Sequence, residues 1–208
     1  MPFLFWVNSV SAAIKPPAPT FGEFVEPILG FSLGTYKVTP DGSSTAINSF
    51  SLKGPEFGVR AGVLNTSYML AGRFQYETLS GSSDGNGISN LELGIDIGGT
   101  FTSIPLRIWF GVNLKDTLTF ADGTTAEATG FKLGTSYFYK PNVAVNLTYT
   151  TRSYAKKLTA SVLTLQSYDS FALSISVPFT FGVPPIPELS SLNRAPDDRP
   201  NRFKFGPQ

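Results

Sequence analysis

The chain has 208 residues, a length that suits one domain, and its 20 glycines and 18 phenylalanines favour β structure. Charged residues make up 15% of the chain, against roughly 25% in soluble domains, which indicates that much of the surface does not face water. The net charge of +1 gives no reason to expect nucleic acid as a partner. The absence of Cys excludes disulfides and thiolate metal sites, and the absence of His removes the commonest general base.

The N-terminal residues have the features of a targeting segment. A short apolar run precedes Val10, Ser11 and Ala12, which have the small-residue form of a signal-peptidase site. We therefore predict a signal-peptide remnant over 1–12 and a proline-rich periplasmic lead-in over 13–20; the alternative is an ordinary apolar N-terminus. No stretch reaches the roughly 18 to 20 apolar residues of a membrane-spanning helix, so a membrane would have to be crossed by strands.

Segments of alternating polarity then recur eight times along the chain, near residues 25–37, 55–64, 68–78, 88–97, 105–115, 129–139, 143–152 and 167–181. Each places large apolar side chains on one face and small or polar ones on the other. Their length of about ten residues is that of a tilted transmembrane strand. Longer connections, near 40–50, 79–89, 116–129 and 153–166, alternate with shorter ones near 65–67, 98–104 and 141–142. This alternation is typical of transmembrane barrels.

The polar faces of these segments carry charges of both signs. In a closed eight-stranded barrel the interior is filled by side chains, so opposite charges there can satisfy each other. We predict a lumen polar network of Glu26, Arg60, Arg73, Glu77, Glu92, Asp96, Arg107, Lys132 and Arg152. With the apolar face turned inward, the same pattern would instead give a soluble lipid-binding barrel of lipocalin type.

The last segment has the clearest alternation. Its large apolar residues are Phe171, Leu173, Ile175, Val177, Phe179 and Phe181, and small, mostly polar residues separate them. Pro178 within it, and Pro27 on the first segment, have no backbone N–H to donate. We therefore predict bulged or missing pairing where the first and last strands meet.

Eight strands, short turns alternating with loops, and a final strand ending in Phe together resemble the small outer-membrane barrels of Gram-negative bacteria, the OmpA, OmpX and OmpW type. The resemblance covers about residues 21–181. It implies that the apolar stripe ending at Phe181 is the signal for the barrel assembly machinery. It also implies outer-membrane lipid and lipopolysaccharide as surroundings.

A proline-rich segment, 182–208, follows the last strand. It is too short and too rich in proline for an independent domain, and it reads either as a solvated periplasmic tail or as a docking peptide for a periplasmic or membrane protein. In the second case the contacts would be Arg194, Arg199, Arg202, Phe203 and Phe205.

We predict an all-β fold, an eight-stranded antiparallel up-and-down transmembrane barrel over 21–181 in the bacterial outer membrane, with both termini in the periplasm and the longer loops outside. The expected role is structural or interaction-based, as a membrane anchor or a subunit of an envelope assembly. Alternatives are a narrow channel for small solutes and the soluble lipid-binding barrel. We expect no catalytic residues, because a Ser nucleophile would lack its usual His. We also expect no metal site, no cofactor and no nucleic-acid partner.

Overall fold

The computed structural model describes residues 21–40, 43, 45–46, 48–65, 67–81, 87–101, 104–121, 123–154, 157–159 and 162–181. The predicted signal-peptide remnant (1–12), lead-in (13–20) and tail (182–208) lie outside these residues. The described part of the chain contains no helix long and apolar enough to cross a membrane.

Ten strand segments follow one another along the chain: β1 Gly22–Pro40, β2 Asn48–Leu64, β3 Tyr68–Gly81, β4 Gly87–Phe101, β5 Leu106–Thr119, β6 Thr125–Lys140, β7 Val143–Tyr154, β8 Lys157–Thr159, β9 Val162–Ser176 and β10 Phe179–Phe181. Neighbours from β1 to β7 pair antiparallel, and β9 pairs with both β7 and β1, which closes the sheet. β10 continues β9 along β1, and β8 pairs with β9 alone among the described strands. The result is a closed eight-stranded up-and-down barrel, as predicted.

The apolar face of the alternation points outward. Leu29, Leu133 and Leu173 are 68%, 50% and 61% exposed, whereas Glu26 and Arg152 are fully buried inside the barrel. A soluble lipid-binding barrel would have the reverse arrangement, so the lipocalin-type alternative is wrong.

The outward-facing apolar residues form a band around the barrel. On β6 the band runs from Phe131 to Tyr139, which gives a height of roughly 20–25 Å at about 3.3 Å per residue and a tilt of about 40°. Aromatic pairs mark the edge near Tyr149 and Phe171, whose ring centroids lie 5.0 Å apart, and the exposed Tyr137 and Tyr139 mark the opposite edge. A band of this height with aromatic edges matches the hydrocarbon layer of an outer membrane.

Past the aromatic edge the polarity of the strands reverses. We call this end the loop end and the opposite end, with the connections 65–67, 102–105 and 141–142, the turn end. On β3 the outward residues change from Phe74 and Tyr76 to Thr78 and Ser80, while Leu79 points inward and is fully buried. The outward residues beyond this edge are polar and face water, and the inward residues are apolar. The strands therefore continue past the membrane as a barrel with an apolar core.

Because the strands continue beyond the membrane edge, the predicted loop over 116–129 was assigned too many residues. The segment expected as a loop over 116–129 is mostly strand, with a connection of only 120–124 between β5 and β6. The outward apolar pattern ends at the membrane edge, and the strands continue beyond it. Gly123 completes the turn with a φ of +80°, which favours glycine.

The seam between the first and last strands is interrupted at the two prolines. β1 pairs with β10 up to Val25↔Phe179 and with β9 from Ile28↔Ser176. Between these pairs the register is unchanged, and one backbone hydrogen bond, from Val177 N to Pro27 O at 3.1 Å, crosses the seam. The predicted missing pairing is confirmed, without a bulge.

Candidate functional site

The interior of the barrel contains a continuous network of ion pairs, which begins near the turn end at Glu26. Its carboxylate Oε2 lies 3.1 Å from Arg107 Nη1 and 3.4 Å from Arg60 Nη1, and its Oε1 accepts a hydrogen bond of 2.6 Å from the Ser176 hydroxyl. Arg60 also donates from Nε to Asp96 at 2.8 Å. Glu26 therefore connects β1 with the strands carrying Arg60 and Arg107, and with the end of β9 beside the interrupted seam.

The middle of the network is centred on Glu92. Asp96 pairs with Arg73, and Arg73 Nη2 lies 2.7 Å from Glu92 Oε1. Glu92 also contacts Lys132 Nζ at 3.1 Å and Arg152 Nη2 at 2.9 Å. One fully buried carboxylate thus contacts three cations from three different strands.

Arg152 carries the network toward the loop end. Its guanidinium lies 3.0 Å from Glu77 Oε1 and 2.6 Å from Asp116 Oδ2. Acids and bases therefore alternate without a break from Arg107 to Asp116. Buried charges need such pairing, because an isolated one has a desolvation penalty of several kcal/mol, on the order of the whole stability of a domain.

All nine charged residues predicted for the lumen lie inside the barrel, each no more than 4% exposed. The prediction missed Asp116 and Glu56, which also point inward and are buried. Asp116 was assigned to a loop because β5 has a bulge at Leu114–Lys115, so that inward positions run from Asn113 to Asp116 instead of every second residue. No simple pattern in the sequence indicates this bulge.

Glu56 could have been found, since it lies four residues before Arg60 and therefore on the same face of β2. It forms no ion pair with any described residue, and its Oε2 accepts a hydrogen bond of 2.7 Å from the Gln75 amide. Gln75 in turn accepts from Lys132, which joins Glu56 to the network.

Apolar clusters cover the network at both ends. Toward the turn end the cluster consists of Phe24, Leu64, Met69, Ala71 and Trp109, and toward the loop end of Tyr36, Leu52, Leu79, Ile88, Leu118, Ala128, Tyr154 and Tyr168. Arg60 stacks over the Trp109 ring at 4.2 Å. Gly134 makes room for this ring, because a Cβ there would overlap the indole. The aromatic rings therefore stabilise the arginines as well as cover them.

This interior is filled by side chains. The guanidinium-bearing residues Arg60, Arg107 and Arg152, and also Lys132, are each at most 1% exposed, so no water-filled path surrounds them. Within the described residues no group of three or more acidic, His or Cys side chains could hold a metal ion. The charged side chains of the interior connect different strands through ion pairs.

The stripe predicted as the assembly signal lies on the lipid-facing side of β9 and β10. Phe171, Phe179 and Phe181 are exposed by 60%, 53% and 60%, and Val177 at the interrupted seam is partly buried. Its recognition by an assembly machinery stays a prediction. The tail residues Arg194, Arg199, Arg202, Phe203 and Phe205 lie outside the described residues.

No protein-family model and no curated protein matches the chain. Among solved structures, the chain is similar to Neisserial surface protein A, with 17% identity over 76% of this chain and 97% of that chain and a TM-score of 0.51. The attachment invasion locus protein Ail of Yersinia pestis matches at 12% identity, covering 76% and 99% of the two chains, with a TM-score of 0.45. OprG from Pseudomonas aeruginosa matches at 13%, covering 76% and 96%, with a TM-score of 0.40.

The likeness to Neisserial surface protein A shows a shared fold. That fold, together with the apolar band and its aromatic edges, makes the chain an integral barrel of the bacterial outer membrane. The predicted fold and location are confirmed.

Proposed function

We propose that the barrel is a non-conducting anchor that holds interaction segments at the two faces of the outer membrane. The observation that supports this role is the burial of the lumen cations, four of which are at most 1% exposed. A channel needs a hydrated path, as in porins, and an interior closed by ion pairs and two apolar clusters does not supply one. The function is then expected at the ends of the barrel, in the outer loops or in segment 182–208.

Recording in planar bilayers tests the anchor against the channel. We expect no discrete conductance steps from the purified chain, with insertion checked by its heat-modifiable migration on a gel. Arg60→Ala/Arg107→Ala serves as the comparison, because it removes two of the side chains that fill the turn end. Regular steps from the unaltered chain would favour the narrow channel instead.

The contact role is tested by pull-down from solubilised envelopes. The full chain is compared with a deletion of 182–208 and with a variant in which Arg194, Arg199 and Arg202 are Gln. We expect both changes to lose the same partner, because guanidinium groups recognise carboxylates and phosphates through paired hydrogen bonds. Identical partners for all three chains would assign the contact to the outer loops. We expect no enzymatic activity, since the chain has neither His nor Cys.

A further inference from the structure

The lumen contains one more carboxylate than cation. Among the described residues, the buried acids are Glu26, Glu56, Glu77, Glu92, Asp96 and Asp116, and the buried bases are Arg60, Arg73, Arg107, Lys132 and Arg152. With every group in its ordinary ionised form, this set has one negative charge in excess. An uncompensated charge in a dry interior is costly, so we expect the lumen to bind one positive charge.

Glu56 is the lumen acid that lacks a cation. Each of the other five has an arginine nitrogen within 3.1 Å. Glu56 is 3% exposed and forms no ion pair with a described residue. Its Oε1 lies against β1 at Gly30, where a Cβ would be 2.9 Å away, and its Oε2 accepts the hydrogen bond from Gln75. The carboxyl is thus enclosed between β1 and β3.

A second carboxyl lies opposite Glu56. Glu56 and Glu77 are direct partners across β2 and β3, and side chains in such a pair have Cβ atoms about 4.5–5.5 Å apart. The Gln75 amide nitrogen lies 2.7 Å from Glu56 Oε2 and 3.3 Å from Glu77 Oε1. The remaining oxygen, Glu77 Oε2, is buried and has no hydrogen-bond partner among the described residues. The pair therefore lacks both a neutralising charge and a hydrogen-bond donor.

A proton meets both needs. It neutralises one carboxylate and supplies an O–H donor beside an acceptor that has none. Calcium and magnesium ions take six or more oxygen ligands, whereas no group of three or more acidic side chains in the described part of the chain could hold a metal ion. Two carboxyls held close together commonly share one proton, because both cannot ionise without repulsion.

The groups around the pair do not supply the missing charge. The pair lies just past the loop-end edge of the band, which Phe57 and Tyr76 mark with ring centroids 5.2 Å apart. The charged and titratable side chains that face it are Arg60 on β2, Arg73 on β3, Glu92 on β4, Asp116 on β5, Lys132 on β6, Arg152 and Tyr154 on β7, and Tyr168 on β9. Both nearby cations, Lys132 and Arg152, already contact Glu92, and tyrosine is neutral below about pH 10.

We propose that Glu56 and Glu77 form a proton-binding site that holds one proton in the folded barrel at neutral pH. Glu56 carries the proton, since Glu77 keeps its ion pair with Arg152 at 3.0 Å. In the unfolded chain an exposed glutamate loses its proton near pH 4.3, as an approximate value. The barrel thus takes up one proton when it folds, so its stability should decrease as the pH rises above about 5. The inference is independent of the proposed anchor role.

Urea unfolding of the full chain in phospholipid vesicles, at a series of pH values from about 5 upward, tests the site. Glu56→Gln resembles the protonated carboxyl and cannot titrate. We expect the folding equilibrium constant of the unaltered chain, divided by that of Glu56→Gln, to fall about tenfold per pH unit until the folded barrel releases its proton. Glu127→Gln is the matched control, because Glu127 is an exposed, outward-facing glutamate near the loop end. The corresponding ratio for Glu127→Gln should not change with pH.

Infrared spectroscopy of the folded, unaltered chain is a second measurement that needs no variant. At pH 7 we expect the C=O band of one protonated carboxyl per barrel, shifted in D₂O and absent from Glu56→Gln. A pH-independent ratio for Glu56→Gln, or the absence of this band from the unaltered chain, would overturn the proposal. A ratio that follows the sodium or potassium concentration instead of the pH would also overturn it, because the excess charge would then be balanced by a bound cation.

Discussion

Replacement of Glu26 by Gln should destabilise the barrel more than any neutralisation on its surface. Glu26 is fully buried, and its Oε2 lies within 3.4 Å of two arginines. The two arginines are not equally dependent on it. Arg60 keeps Asp96 at 2.8 Å, whereas Arg107 has no other acidic partner among the described residues.

The magnitude follows from that difference. One buried cation is left without a partner, and such a loss costs roughly 3–5 kcal/mol. The Ser176 hydroxyl bond, at 2.6 Å, can persist with the Gln carbonyl, so it adds little to the loss. Glu23→Gln is the control, because Glu23 faces outward on the same strand and its change should cost no more than about 0.5 kcal/mol.

The assay is urea unfolding of the chain refolded into phospholipid vesicles, followed by tryptophan fluorescence. A Trp6→Phe background makes Trp109 the single reporter, and its ring stacks on Arg60 beside Glu26. The double variant Glu26→Gln/Arg107→Met removes the unpaired cation together with its partner. It should therefore be more stable than Glu26→Gln alone.

Two results would refute this reasoning. Equal free energies of unfolding for Glu26→Gln and Glu23→Gln would mean that the buried carboxylate contributes no net stability. A double variant less stable than Glu26→Gln would mean that the cost does not come from the unpaired arginine.

Three further changes have distinct expected outcomes. Gly134→Ala should destabilise the barrel by about 1–3 kcal/mol because its Cβ would overlap Trp109, while Gly72→Ala, whose Cβ would have no atom closer than 3.9 Å, should be tolerated in the same unfolding assay. Leu118→Ala should cost about 2–5 kcal/mol, as in a soluble core, because this fully buried side chain packs in the apolar cluster of the loop end. Phe181→Gln should slow assembly in cells, measured by pulse-chase of the heat-modifiable form, and leave spontaneous refolding into vesicles nearly unchanged; equal slowing of both would show that Phe181 acts through packing alone.

The fold and the position of the lumen charges could be predicted because both depend on a period of two along each strand. Where that period holds, as from Arg107 to Asn113, one outward residue such as Phe110 determines which face of the strand every other residue of the stretch occupies. Where it breaks, at Leu114–Lys115, the prediction failed and assigned Asp116 to a loop.

The extension of the strands beyond the membrane was missed for a different reason. Outward Leu, Ile and Phe define a strand in lipid, but past the membrane edge the apolar residues are inward, as Tyr36 and Leu118 are. A prediction based on one outward apolar face therefore stops at that edge. The pairing partners of each charge, such as Glu92 with three cations, depend on the closure of the barrel and on glycines that make space, so no local pattern could give them.

The reversal of polarity along the strands also fixes how deep the barrel lies in its bilayer. If the barrel moved through the bilayer in the direction of its loop end, outward residues such as Leu133 would enter water. If it moved in the direction of its turn end, Lys115, Glu127 and Asp169 would enter hydrocarbon. The loop-end edge of the band is thus defined by charged side chains, and at the turn end the band on β6 stops at Tyr139, which the exposed Lys140 follows. A bilayer whose hydrocarbon layer is thinner or thicker than the apolar band has to stretch or thin around this protein, so the barrel sets the local membrane thickness.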